Sequence, residues 1–310
     1  MQESLPALSS LLADVQPLDS IALPLMDAQG CVLAQRVIAP ADVPSFATAL
    51  HTGFAIASHG YLSHEVAPIV DEVPAGFRAS EPLTAGACIK VHRGAPLPEG
   101  ADAVVEMSRA RVVDGGVILE EVEAGHGVSR VGDLISAGTT LAEPGQLLDA
   151  DLIGILARAA IRSVAVHPRP RVLVLTVGTE YVEPGVPTPT GLVADHLSYL
   201  AAAIVTECGG IAFRLPPVLD DLADVEQVVD DNAHRSDLIV LCGIDSDSAP
   251  VLAAGLELVQ VIDGADEIVL HGIREGAIIL GLPDDPVSLR STAGALLPAI
   301  VGRLMGHQQG

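Results

Sequence analysis

The sequence predicts a multidomain α/β protein whose last third folds around a parallel sheet, and three observations lead there. Apolar, β-branched runs at residues 171–176, 211–218, 237–242 and 277–280 alternate with helical stretches, which is the spacing of βαβ units. From residue 53 to about 131 the texture changes to short β-type runs between Gly, Pro and Asp turns, the pattern of a compact β-rich domain. Apolar residues make up 49% of the 310, yet aromatics are only 2% and Trp is absent. Core volume must then come from Ala, Val, Leu and Ile, which suits buried strands and Ala-rich helices.

In chain order, residues 5–15 read as an amphipathic helix leading into Pro17. Residues 23–39 read as a helix start and an extended arm, followed by the stiff segment 40–44 with its two prolines. Within the β-rich stretch the runs are residues 88–91, 103–107 and 117–122. A helix is expected over residues 146–160, and Pro168-Arg169-Pro170 reads as a linker. Residues 171–176 form a continuous apolar run, as a strand covered on both faces requires. Helices follow at residues 195–208, stopped by Gly209-Gly210, and at residues 222–234. No internal repeat or low-complexity tract interrupts this order.

Ligands of such sheets bind at the carboxyl ends of the strands. Three loops are expected there, each with glycine that lets backbone N–H groups approach a ligand: Val177-Gly178-Thr179-Glu180, Gly243-Ile244-Asp245-Ser246 and Gly281-Leu282-Pro283-Asp284-Asp285-Pro286. Asp220-Asp221 also suit the start of a helix at Leu222, and Ser288 suits a helix cap.

Charge narrows the partners. Forty acids against 16 Lys and Arg give a net charge of −24, and Lys90 is the only lysine. That field repels phosphate, which excludes nucleic acid and anionic membranes as natural partners. Mean hydropathy is +0.46, but no run approaches the roughly 20 apolar residues of a spanning helix. With no signal-peptide pattern either, a cytoplasmic protein without direct membrane insertion is expected. Cys31, Cys88, Cys208 and Cys242 are scattered and read as small core residues. His59 and His64 read as solvated, and no metal site is expected.

Several segments resemble the MoeA and gephyrin E-domain family of molybdopterin molybdenumtransferases. The most specific is residues 93–105, RGAPLPEGADAVV, which is similar to T-G-A-P-L-P-x-G-A-D-A-V-V. Residues 39–46 resemble the arm before D-N-S-A-M-D-G-Y-A; Arg169-Pro170-Arg171-Val172 with Gly178-Thr179-Glu180 and Glu183-Pro184-Gly185 resembles R-P-R-V…T-G-D-E-L…P-G; and residues 281–288 resemble G-L-P-G-N-P-V-S. The resemblance implies a homodimer with a discontinuous stem (residues 1–45 and 132–167), an inserted β-rich domain (46–131) and a MoaB/Mog-like α/β domain (168–310). The family's C-terminal β-barrel is expected to be absent, since the chain stops at Gly310.

The family's reaction joins adenylylated molybdopterin and molybdate with Mg²⁺, using acids for the cation and bases for the anions. Position by position, the motif acid of D-G-Y-A falls on Thr52, the Thr of T-G-A-P on Arg93, the second acid of G-E-D-I on Leu134 and the Asp of T-G-D-E on Thr179. The family's S-G-G-V-S-V-G becomes residues 242–248, its P-G-K-P lysine segment becomes residues 264–268, and its Gly-Asn becomes Asp284-Asp285. What the resemblance leaves is a partial set: Glu180, Asp220 and Asp221 as catalytic residues if the enzyme is active, with Gly94, Gly178, Gly243, Gly281, Pro283 and Ser288 as the residues that would contact a cofactor. The expectation is a degraded site, no bound cofactor, and a dimeric scaffold for protein partners. The alternatives are an active transferase using Mg²⁺, molybdopterin and molybdate, and a pterin sensor without turnover.

Overall fold

The computed structural model describes residues 12, 15–61, 65–263 and 267–307. Apart from Leu12 and Val15, the helix expected over residues 5–15 lies outside the described residues, as do His64 and residues 264–266 of the segment matched to P-G-K-P. The chain forms two compact units. One holds the residues up to Arg36, Glu143–Ile153 and everything from Arg162 on; the other holds Val37–Ala142 with Gly154–Ile161. The expected stem thus divides: residues 37–45, 132–142 and 154–161 group with the β-rich unit.

In the first unit a six-stranded sheet comprises β1 (Arg171–Thr176), β2 (Ile211–Arg214), β3 (Leu238–Ile244), β4 (Val259–Asp263), β5 (Glu267–Arg274) and β6 (Ala277–Pro283). Their order across the sheet is β2-β1-β3-β6-β5-β4. The first four of these are mutually parallel, while β5 and β4 add on antiparallel. Four helices cover it: α1 (Leu197–Glu207), α2 (Leu222–Ala233), α3 (Ser248–Gly255) and α4 (Pro286–Leu304). The two-residue period of a strand decides which side chain meets which layer. Val172, Val174, Val240 and Leu280 pack with Leu197, Ala201, Leu296 and Ile300 of α1 and α4. Leu173, Leu175, Ile239, Leu241 and Ile279 pack with Val225, Val229 and Leu252 of α2 and α3. Each fully buried aliphatic side chain contributes about 1.5–3 kcal/mol, so these two layers, aliphatic apart from the half-buried Tyr181, hold the sheet.

The same unit carries an antiparallel sheet of Ile21–Pro24, Ser163–His167 and Val32–Leu33. No helix starts at Leu23, which pairs with Val164 as part of the first strand. A turn follows, closed by Ala28 N–H to Pro24 O at 3.1 Å and by Gly30 at φ +76°. The helix expected from residue 146 begins only at Ala150 and ends at Arg158. Asp149 caps it, accepting from Leu152 N–H at 2.8 Å. Leu148 N–H is already committed to Cys31 O at 2.9 Å.

The second unit centres on a four-stranded sheet in the order Ile69–Val73, Cys88–Val91, Gly53–Ile56, Ala103–Glu106, with an Ala110–Val113/Gly116–Leu119 hairpin beside it. Phe54, Ile56, Ile89, Val91, Val104 and Val105 are its buried core.

Candidate functional site

Parallel order places the carboxyl ends of β1, β3 and β6 side by side. The loop after β1 is stitched to its neighbours: Val177 N–H donates to Cys242 O at 2.8 Å and Gly178 N–H to Val218 O at 2.9 Å. A Cβ on Gly178 would lie 2.8 Å from the Glu180 carboxylate and 2.7 Å from the Tyr181 ring. At Gly243, φ is +91° and a Cβ would lie 2.5 Å from Val177 O. Both positions therefore require glycine for close packing of the edge itself.

β3 and β6 run further than the sequence suggests, while β2 stops at Arg214, short of the expected Val218. Gly281 and Pro283 fall inside β6 and pair with Leu241 and Ile244, whereas Gly243 falls inside β3 at the register shift between Cys242 and Ile244 and has no partner in the ladder. A Cβ on Gly281 would meet Leu270 Cβ at 2.9 Å, so this glycine serves interstrand packing rather than a loop. Ser288 lies in the first turn of α4 but is not its cap. Asp285 is, accepting from Ser288 N–H at 2.8 Å and Val287 N–H at 3.1 Å ahead of Pro286. These donors hold the Asp285 carboxyl below its ordinary range, Ser288 N–H first. Asp221 caps α2 through Ala223 N–H at 2.9 Å.

The edge is acidic. Burial first, then the charges of Asp245, Glu180 and Asp221, raise the Asp220 carboxyl above its ordinary value. Burial, then Glu180, Asp284 and Asp195, push the Tyr181 phenol up to about 12. Asp245 moves the other way: Ser248 N–H at 2.7 Å is the main cause, and the Ser248 hydroxyl at 2.8 Å and Asp247 N–H at 2.9 Å add to it. Among the described residues no three His, Cys, Asp or Glu side chains converge to hold a metal ion.

Beneath the edge lies a polar network that the sequence reading missed. The Asp195 carboxylate is 0% exposed and accepts from Thr176 Oγ1 at 2.8 Å, from Ser198 Oγ and from Arg214 Nη2 at 3.0 Å. Arg214 also donates to Ser198 Oγ at 2.9 Å and to Glu183 at 3.1 and 3.2 Å, and its Cζ sits 3.6 Å over the Tyr199 ring. Both ends of this guanidinium are thus committed to carboxylates of the chain. The only local signal was an acid three residues before Ser198 at a helix start.

In the β-rich unit the two positions matched to motif residues meet, Arg93 N–H donating to Thr52 Oγ1 at 3.2 Å. Gly53 beside them has no room for a side chain, since a Cβ would lie 2.0 Å from Val105 O. Gly94 turns at φ +83° and donates to Ala49 O at 2.8 Å. The following Pro96-Leu97-Pro98 lines a cavity of about 450 Å³ with Phe46, Arg78 and Glu99. His59 is 89% exposed beside Asp102.

This arrangement defines a multidomain α/β protein of MoeA-like fold. The solved molybdopterin biosynthesis MoeA protein of Pyrococcus horikoshii OT3 superposes with a TM-score of 0.76 over 97% of this chain and 79% of that one, at 23% identity. Residues 4–160 match the family described as MoeA N-terminal region (domain I and II). Molybdopterin molybdenumtransferase 2 of Mycobacterium tuberculosis is 30% identical over 293 residues, covering 86% of this chain and 71% of the relative. The molybdopterin molybdenumtransferase of Haemophilus influenzae is 25% identical over 94% of this chain and 75% of its own. The chain belongs to the MoeA family of molybdenum cofactor biosynthesis. No helix among the described residues is long and apolar enough to cross a membrane.

Proposed function

We propose that this MoeA-family chain keeps the family's homodimeric framework but acts in molybdenum cofactor biosynthesis as a non-catalytic scaffold for protein partners, in the cytoplasm. The observation that carries this reading is the charge of the carboxyl edge. Burial first, and then the charges of Asp245, Glu180 and Asp221 around it, raise Asp220, while Arg214 is held by Asp195 and Glu183. A phosphorylated pterin and molybdate are anions. One unit charge about 4 Å from another is worth roughly 4 kcal/mol at an effective dielectric near 20, less when screened. Every 1.4 kcal/mol or so is tenfold in affinity, so a few uncompensated carboxylates suffice to weaken an anionic ligand strongly.

Titration with adenylylated molybdopterin in the presence of Mg²⁺ and molybdate, following binding and AMP release, tests it. Sedimentation of the same sample reports the dimer. The expected result is a dimer that neither binds at concentrations on the order of tens of micromolar nor releases AMP. Tight binding with AMP release overturns the scaffold reading in favour of an active molybdopterin molybdenumtransferase. The 30% identity to a relative of that name favours this second reading. In that case Glu180, Asp220 and Asp221 are the acids to test.

A further inference from the structure

A second concave feature of the α/β unit lies away from the carboxyl edge. β2 is the last strand of its sheet, paired only with β1. Phe213 stands opposite Leu173 in the register and is 49% exposed. The groove between this edge strand and the end of α2 has a volume of about 460 Å³, lined by Leu173, Phe213 and Leu215 with Arg171, Asn232 and Arg235. Cavities of that size, largely apolar with a few placed polar groups, are what small ligands fill.

The arginines along the groove differ in what holds them. Arg171 is matched by Asp237, with Nη2 at 3.2 Å and Nε at 3.3 Å. Arg214 is matched by Glu183 and Asp195. Arg235 has no carboxylate partner among the described residues; its Nε, at 2.9 Å, and its Nη2 both donate to the amide oxygen of Asn232. Asn232 is itself buried and spends its amide nitrogen on Val228 O at 2.7 Å. The amide oxygen thus fixes the guanidinium while the amide nitrogen anchors Asn232 to its own helix, which leaves Nη1 of Arg235 for another acceptor. A planar donor in the same groove as apolar side chains matches a carboxylate on an apolar body.

We propose that this groove binds a small organic carboxylate, its apolar part against Phe213 and Leu215 and its carboxylate on Arg235. In a chain of net charge −24, a guanidinium held by Asn232 rather than by an acid gives this groove a cation that an anion can reach.

Phenylacetate and its uncharged isostere phenylacetamide are the probes, followed by calorimetry and ligand-observed NMR on the full chain. Phenylacetate is expected to bind saturably, and Arg235→Gln to weaken it about fivefold or more while leaving phenylacetamide unchanged. Phe213→Ser weakens both probes, and circular dichroism confirms that each variant is folded. Equal affinity for the two probes, indifference to Arg235→Gln, or no saturable phenylacetate binding overturns the proposal.

Discussion

Arg214→Gln is the perturbation whose size the structure sets most directly. The Asp195 side chain is 0% exposed and that of Arg214 is 19% exposed, with Nη2 3.0 Å from Oδ2. Removing one partner of a buried pair strands the other charge, at a cost of about 3–5 kcal/mol. Three donors would remain on Asp195: Thr176 Oγ1, Ser198 N–H at 3.2 Å and Ser198 Oγ. They lower the expected loss to roughly 2–4 kcal/mol. Loss of the contact with the Tyr199 ring adds about 0.5–1 kcal/mol. Urea unfolding followed by circular dichroism measures the total, and amide exchange across β1 and α1 assigns it to the α/β unit. Asp195→Asn combined with Arg214→Gln removes both charges and is expected to recover at least half the loss. The reasoning is refuted if Arg214→Gln costs less than about 1 kcal/mol, or if the double variant loses the sum of the single effects, because either result means that the pair is hydrated and uncoupled.

Other expectations follow from single sites. Asp221→Ala removes the cap of α2 and lowers stability by about 1 kcal/mol, with faster amide exchange from Leu222 onward. Gly243→Ala forces a Cβ to within 2.5 Å of Val177 O at φ +91°; a loss of more than about 1 kcal/mol is expected in thermal unfolding. The two edge aspartates respond oppositely to pH. The Asp245 carboxyl is depressed, so its stabilisation is present above the ordinary value of 3.8 and disappears as the pH falls through the lower folded value; the deficit of Asp245→Asn shrinks in acid. Asp220 is raised, so its ionisation costs stability above its folded value. Asp220→Asn is therefore more stable than the parent at neutral pH, and the two converge below the ordinary 3.8, as acid unfolding at stepped pH reads directly. Glu267→Lys places a lysine in the segment that resembles the family's P-G-K-P, and is expected to tighten binding of adenylylated molybdopterin about tenfold or more by calorimetry; no change would mean that this position does not face the ligand.

Much of the sheet was legible because its strands are long, apolar and bounded by punctuation. β1 carries five buried residues in its six, and a run of that kind has no other use in a small helix-covered layer. The antiparallel hairpin of β4 and β5 was not legible. β4 breaks its apolar residues with Gln260 and Asp263 at no regular period, and β5 contains Gly272, under whose missing side chain Leu258 packs with Cδ2 2.7 Å from the Cβ position. Helix starts were readable only where the capping residue was given its due. At α4 the order Asp285-Pro286 marks the cap and the first helical residue, whereas Ser288 two residues later has the right chemistry in the wrong place.

The candidate site was legible as a location and not as an electrostatic state. Strand order alone brings Gly178, Glu180, Asp220 and Asp245 to one edge, so reading the βα periodicity was enough to name the loops. What those acids do depends on which donors reach each oxygen. Asp245 and Asp220 are the same residue type on neighbouring loops, yet three donors from Ser248 and Asp247 hold one carboxyl down, while burial and like charges hold the other up. Arg214 adds the same lesson at longer range. As a residue it counts as a base that could receive an anion, but Asp195 and Glu183 reach it from other segments and neutralise it. Counting charges along a sequence gives the field of the whole chain; the field at a site is set by which opposite charges the fold has already brought into contact, and here the half-buried Arg214 is already matched by the chain's own carboxylates.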